Sequence, residues 1–163
     1  MNKYKDCLLI LPEDRRLSEV VNGYLITGQR NQRKFQILPY ERGWKHVFNR
    51  IKELKKDLDK YPNLRILLVI DFDKDQNRLN EFTEEIGEKY IERMFILGPY
   101  ENVEALKRCC KTTSAEQVGK ILAQTSPKSN SQDNPWKGEQ LSMFSKEIKR
   151  FFCAVEPCLC GSE

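Results

Sequence analysis

The segment from Arg65 to Asp73, which reads RILLVIDFD, constrains the fold of this chain more than any other. Ile66 to Ile70 are all apolar, with no alternation of polar residues, and this is typical of a central parallel strand covered on both faces. The change to acidic residues at Asp71 marks the end of that strand. Ligand sites in open parallel sheets lie outside the carboxyl ends of the strands. The segment therefore predicts a buried strand that carries carboxylates to a functional edge.

The rest of the chain alternates strand-like and helix-like patterns. Short apolar segments are typical of strands, and apolar residues that recur every three or four positions are typical of helices. This alternation predicts an α/β fold with a parallel central sheet of about four strands flanked by helices. The predicted strands are 7–12, 35–39, 66–70 and 93–97, and the predicted helices between them are 17–28, 44–59 and 79–86.

The part of the chain after Gly98 is predicted to be mostly helical. Segments 101–110, 114–125 and 139–152 show helical spacing, and Ser114 with Gln117 forms a capping pattern. A polar, mobile loop is expected at 126–134. We therefore expect an α/β domain over residues 1–125. Residues 126–163 are expected to form a loop, a helix and a cysteine-containing tail packed on the same domain.

Composition indicates a soluble globular protein. The 163 residues are 39% hydrophobic and 32% charged, with a net charge of +4, which is less basic than a dedicated nucleic-acid coat. No apolar run reaches the roughly 18 residues needed to span a membrane. The apolar segment at 7–12 is too short for a secretory signal. A cytoplasmic protein without a membrane partner is expected.

The six cysteines leave one metal question open. Cys153, Cys158 and Cys160 lie close together and could bind zinc if Cys109 or Cys110 supplied a fourth ligand. However, their spacing contains no CxxC pair, and the single histidine of the chain is distant in sequence. Reduced thiols, as expected in the cytoplasm, are the favoured interpretation.

Acidic residues follow three of the predicted strands. Glu13 and Asp14 follow the first, Asp71 and Asp73 follow the third, and Glu101 and Glu104 follow the fourth. Alternate residues of an extended segment face the same side, so Asp71 and Asp73 are expected to approach one ion while Phe72 turns into the core. Carboxylates are the ligands that Mg²⁺ prefers. The other interpretation is a solvated acidic loop, because aspartate is common in turns and caps.

Arginines are expected at the same edge. Arg15 and Arg16 follow the first strand directly, and Arg42 follows the second. They could hold the phosphates of a nucleic acid. They could also neutralise the acidic cluster by ion pairing and remove its need for a metal.

These acidic positions resemble the Toprim domain of topoisomerases, primases, old-type nucleases and related phage-defence proteins. The resemblance covers about residues 7–106. It implies that Glu13, Asp71 and Asp73 are catalytic residues that bind Mg²⁺ or Mn²⁺ and support phosphodiester hydrolysis or transfer, with Glu13 as ligand or base. Glu104 loosely matches a later acidic residue of the old-type nucleases. The family often has glycine after its glutamate, where this chain has Asp14.

Two functions follow from these observations. The first is a Mg²⁺-dependent, Toprim-like enzyme or enzyme subunit that acts on nucleic acid. The second is a non-catalytic interaction or regulatory module, whose Phe151-Phe152 edge binds a protein partner or forms a homodimer. Trp136, in a polar segment, is interpreted either as a partner contact or as an anchor for its loop. The Glu-Asp-Arg-Arg and Asp-Phe-Asp segments are also similar to those of small bacterial proteins, a likeness that implies no activity.

Overall fold

A parallel four-stranded sheet lies at the centre of the fold, as predicted. The computed structural model describes residues 8–28 and 30–160. Within them the strand order is β2-β1-β3-β4, and every neighbouring pair is parallel. The α/β class and the helical C-terminal part are confirmed. The strands are β1 (Leu8–Pro12), β2 (Phe35–Ile37), β3 (Arg65–Val69) and β4 (Met94–Leu97).

Several helices begin where a polar side chain satisfies a backbone N–H group of the first turn. Asp14 accepts a hydrogen bond from the Leu17 N–H at 2.9 Å, and Asn102 and Ser114 cap two later helices in the same way. The helices are α1 (Arg15–Ile26), α2 (Trp44–Lys60), α3 (Asn77–Ile86), α4 (Val103–Cys109), α5 (Ala115–Gln124), α6 (Ser145–Ala154) and α7 (Glu156–Cys160).

The helices lie on both faces of the sheet because the connections leave β1 and β3 in opposite directions. The connection from β1 leads outward to β2, whereas that from β3 leads the other way to β4. Right-handed crossovers therefore place α1 on one face and α3 on the other. Helix α2 packs beside α3, where the Phe48 and Phe82 rings meet edge to face at 5.2 Å. Helix α5 packs against α1.

Two glycines allow α1 and α5 to touch through their backbones. A Cβ atom at Gly119 would lie 1.9 Å from the carbonyl oxygen of Val20, and one at Gly23 would lie 2.0 Å from that of Glu116. Real Cβ atoms do not approach backbone oxygens so closely. Glycine in a helix interior costs about 1 kcal/mol relative to alanine. Here that cost is offset by the close packing of the two helices.

The segment before and within α6 covers the outer edge of β4. The backbone N–H of Ile96 donates to Glu147 Oε1 at 3.1 Å, and Arg150 Nη2 donates to the Met94 carbonyl at 2.6 Å. Just beyond the strand, Tyr100 N–H donates to the Gln140 carbonyl at 2.8 Å. An edge strand otherwise offers unpaired groups to other chains. These contacts satisfy several of those groups within the molecule.

The predicted continuous helix over 139–152 is wrong at its beginning. Regular helix starts only at Ser145, after a 3₁₀ turn at Ser142–Phe144. The Gln140 carbonyl, which such a helix would use, accepts from Tyr100 instead, and the Gln140 side chain accepts from the Glu101 N–H. The apolar face was predicted correctly as core. Its buried residues are Leu141, Phe144, Ile148 and Phe151.

Trp136 is an anchor for its loop. The ring is buried, and its indole N–H donates to the carbonyls of Leu122 and Thr125 at 3.1 and 2.9 Å. Asn134 holds the same loop by donating to the carbonyls of Ser126 and Ser129. Of the two interpretations of Trp136, the structure therefore favours the anchor.

Some predictions fall outside the part of the chain that the structure describes. Cys7, expected in the first strand, is one, and the side chain of Cys160 is another. Among the described residues, no helix combines the length and the apolar character needed to cross a membrane.

Candidate functional site

The two strands that end in acidic residues are neighbours at the switch point of the sheet. Pro12 of β1 lies beside Val69 of β3, and the Glu13 N–H continues the pairing by donating to the Val69 carbonyl at 2.8 Å. The connections of β1 and β3 leave in opposite directions, and ligand sites of open parallel sheets form at such a switch point. Glu13 and Asp71 therefore lie together at the switch point.

Glu13, which is buried, and Asp71, which is half-buried, form an acidic pair at this edge. The backbone N–H of Asp71 donates to Glu13 Oε2 at 2.6 Å, and only 7% of Glu13 is exposed to solvent. Asp71 Oδ1 is buried and has no hydrogen-bond partner among the described residues. Buried polar atoms are nearly always hydrogen-bonded, so an orphaned carboxylate oxygen indicates a missing ligand or proton.

Burial raises the pKa values of both members of the acidic pair. The pKa of Glu13 is raised from 4.5 to about 7, chiefly because burial disfavours the charged form. The pKa of Asp71 is raised from 3.8 to about 8 by burial and by repulsion from Glu13. Near neutral pH the pair therefore retains a proton unless another positive charge replaces it.

Asp73 does not join the acidic pair as its sequence position predicted. Its carboxylate Oδ2 accepts from Arg78 Nη1 at 2.8 Å. The same Nη1 donates to the Asp71 carbonyl at 2.8 Å. Asp73 and Lys74 adopt left-handed φ angles of 50° and 61°, so the Asp-Phe-Asp segment is not extended beyond Phe72. The chain therefore turns at Asp73, whose carboxylate is bound by Arg78, and an ion shared by Asp71 and Asp73 stays a prediction.

Phe72 turns into the core, as predicted. Its ring is 1% exposed and stacks on Phe144 at a centroid distance of 4.3 Å. The next two backbone N–H groups donate to the loop after β4, from Asp73 to the Glu101 carbonyl and from Lys74 to the Tyr100 carbonyl. This anchoring fixes the turn that carries Asp71 and Asp73.

Arg78 is a residue of the candidate site that was not predicted from the sequence. It lies in the first turn of α3, is 6% exposed, and places its guanidinium 4.2 Å from the centre of the Trp44 ring. Charged residues of a helix usually face solvent, so the spacing of Arg78 in the sequence did not predict that its side chain is buried. The sequence signal for its contact with Asp73 was the position of an arginine five residues later, after a loop in which the chain must reverse direction.

The predicted phosphate-binding arginines lie around the acidic pair on the outside. Arg15 and Arg16 begin α1, and Arg42 precedes α2; all three are exposed. Arg15 pairs with Glu19 at 3.2 Å and Arg16 pairs with Glu104 at 2.9 Å. Arg78 is therefore the arginine in direct contact with Asp73, whereas Arg16 pairs with Glu104 but its charge still favours the ionised form of Asp71 and so lowers the pKa of that carboxyl.

Two carboxylates, rather than three, converge at this edge. Among the described residues, no three His, Cys, Asp or Glu side chains are placed to hold a metal ion together. Glu13 and Asp71 nevertheless fit a Mg²⁺ ion, which is often held by one or two carboxylates while water or phosphate completes its shell. At the other candidate metal site, Cys109, Cys110, Cys153 and Cys158 are free thiols.

Comparisons with known proteins give no family for this chain. No protein-family model, no curated protein and no solved structure matches it. The function of this chain must therefore be inferred from the geometry of the acidic pair and the residues around it.

Proposed function

We propose that this chain is a Mg²⁺-dependent, Toprim-like enzyme or enzyme subunit that hydrolyses or transfers phosphodiester bonds of nucleic acid. We further propose that it acts in the cytoplasm, in phage defence. The observation that carries the proposal is the acidic pair at the switch point, with Asp71 Oδ1 lacking a partner among the described residues. A divalent cation supplies the positive charge that two crowded, buried carboxylates need.

Glu13 and Asp71 would hold the ion, and Asp73 would reach it by releasing Arg78. Asp73 is 53% exposed, so its carboxylate can rotate without crossing packed core. When bound, the metal supplies charge stabilisation for a phosphodiester and lowers the pKa of a bound water. Glu13 would serve either as a ligand of the ion or as the base that takes a proton from the attacking water.

The exposed arginines suit the sugar–phosphate backbone rather than the bases. Arg15, Arg16 and Arg42 lie at the N-terminal ends of α1 and α2, next to the carboxyl edge of the sheet. Contacts from arginine to phosphate position a nucleic acid without selecting its sequence. We therefore expect the binding of nucleic acid to weaken steeply as the salt concentration rises.

Binding of Mg²⁺ is expected to raise the melting temperature of the protein. At a metal concentration about ten times the dissociation constant, mass action adds about 1.4 kcal/mol to the free energy of unfolding. For a chain of this size that corresponds to about 3–5 °C. Scanning calorimetry with MgCl₂, MnCl₂ or EDTA measures the shift.

Asp71→Asn is expected to abolish that shift, and Asp75→Asn is its matched control. Asp75 lies in the same loop, but its Oδ1 accepts from the Asn77 N–H and stands outside the acidic pair. An unchanged melting temperature at 20 mM metal in the wild type would contradict the metal site. So would an equal shift in Asp71→Asn.

Metal-dependent cleavage of nucleic acid tests the enzyme itself. We expect the wild type to cleave labelled single- or double-stranded DNA or RNA with Mg²⁺ or Mn²⁺, and Glu13→Gln to lose that activity. The amide oxygen of the substituted side chain can still accept from the Asp71 N–H, so the fold should persist. Equal activity in both proteins, or cleavage in neither, would contradict the enzyme proposal.

One observation favours a non-catalytic module instead. Arg78 already neutralises Asp73, and a single proton can relieve the repulsion between Glu13 and Asp71. In that case the edge is a structural element and the chain acts by binding a partner. A protein that neither gains stability from metal nor cleaves nucleic acid would support this second function.

A further inference from the structure

A groove between α6 and the preceding loop is distinct from the acidic pair. It encloses about 720 Å³ and is open to solvent on one side. We call it the lysine groove. Its loop wall is formed by Ser126, Pro127, Lys128, Trp136 and Lys137, and its helix wall by Ser145, Ile148, Lys149, Phe152 and Cys153.

The helix wall is one continuous face of α6. Its residues recur at three- and four-residue spacing, and such residues lie above one another on a helix. The opposite side of α6 is occupied, because Glu147 and Arg150 bind the edge of β4 and Phe151 packs on Phe95 at 5.9 Å. Within residues 8–28 and 30–160, the groove face is therefore the side of α6 that does not pack on the sheet.

The lysine groove combines an apolar floor with positively charged walls. Trp136 and Ile148 are buried, and Phe152 is half-buried beside them. Lys128 and Lys149 are exposed, one on each wall. Within the described part of the chain neither has an ion-pair partner, and no carboxylate lines the groove. An occupant that complements it carries an apolar group between negative charges.

A peptide fits this groove better than a nucleic acid does. Single-stranded nucleic acids bind by stacking bases on exposed aromatic faces. Trp136 is only 8% exposed, and its ring meets Phe152 edge to face at 5.2 Å, so it offers no face to a base. A leucine or aromatic side chain can instead insert between Pro127 and Phe152.

We propose that the lysine groove binds an acidic, amphipathic segment of a partner protein. An apolar residue of that segment packs on Pro127 and Phe152, which are both half-buried, and carboxylates before and after it pair with Lys128 and Lys149. Recognition of an apolar anchor in a groove, with charges at its rim, is a general mode of peptide binding. Peptide binding at the lysine groove does not depend on the metal site.

Selection from a displayed library of random 15-residue peptides tests the proposal on the full chain. We expect enriched peptides to carry Asp or Glu on both sides of a leucine or aromatic residue. Isotope-labelled protein should then show amide shifts confined to 126–137 and 145–153. The Lys128→Glu/Lys149→Glu variant should bind the enriched peptides about tenfold or more weakly, because like charges would face each other.

A charge-matched control separates the groove from general electrostatics. Lys52→Glu/Lys56→Glu changes the net charge by the same amount on the exposed face of α2 and should leave binding unchanged. Three results would overturn the proposal. They are no enrichment of acidic peptides, equal weakening by both double variants, or a labelled 15-nucleotide oligothymidine that binds the groove in place of the peptides.

Discussion

Replacing Gly119 by alanine is expected to destabilise the protein by about 3 kcal/mol, the upper end of the range for overpacked cores. The new Cβ would lie 1.9 Å from the Val20 carbonyl oxygen and 2.5 Å from the Tyr24 nitrogen. These are backbone atoms, so α1 and α5 must separate to admit the methyl group. Alanine stabilises a helix by about 1 kcal/mol relative to glycine. A net loss of stability in the variant could therefore not come from helix propensity. The melting temperature should fall by about 6–12 °C.

Urea unfolding of Gly119→Ala and Gly138→Ala measures this difference. A Cβ at Gly138 meets its nearest neighbour at 3.5 Å, and the residue has an ordinary φ of −77°, so that variant should be near neutral. The double variant Gly23→Ala/Gly119→Ala should lose less than the sum of its parts, because the first methyl already separates the helices. A Gly119→Ala protein as stable as the wild type would contradict the contact between the backbones of α1 and α5.

Asp71→Asn is expected to stabilise the metal-free protein at pH 8 by on the order of 2 kcal/mol or more, because burial and then repulsion from Glu13 disfavour the charged carboxyl of Asp71 and each unit of a raised pKa corresponds to about 1.36 kcal/mol. The folded-state pKa values of Glu13 and Asp71 are raised to about 7 and about 8. Between about pH 4 and pH 8 the folded protein therefore holds protons that the unfolded chain has released. The free energy of unfolding must then fall as pH rises through this interval.

Unfolding in EDTA at pH 5 and pH 8 checks the sign. The wild type should be less stable at pH 8 than at pH 5 as far as these two groups are concerned, and Asp71→Asn should show a smaller difference. Asp75→Asn should follow the wild type. Addition of Mg²⁺ at pH 8 should restore stability to the wild type and to this control, but not to Asp71→Asn. A wild-type protein whose stability depends on pH no more than that of Asp71→Asn would show that the acidic pair is not strained.

The fold could be predicted largely from local pattern. The apolar segment before Asp71 needed no tertiary information, since its short length and its three β-branched residues favour a buried strand, and β3 was found there. The start of α6 could not be predicted, because Leu141 and Phe144 fit a helical period. What breaks that helix is a hydrogen bond from Tyr100, about forty residues earlier in the chain.

The candidate site was predicted in part. Strand ends placed Glu13 and Asp71 at one edge, because parallel neighbours must end together. The separation of Asp73 depends on a left-handed turn and on Arg78, which α3 and Trp44 bring in from different parts of the chain. The contact of α1 with α5 did leave a signal in the sequence, because Gly23 and Gly119 lie inside helices where alanine would be preferred.

The covering of β4 by Gln140, Glu147 and Arg150 bears on where this chain can be cut. The segment after Thr125, which the sequence predicts to pack on the α/β domain, satisfies several backbone groups at the outer edge of the sheet, as a neighbouring strand would. A chain that ended at Thr125 would expose β4 as a template for another copy of itself. The C-terminal part therefore covers the β4 edge against pairing with a strand of another molecule.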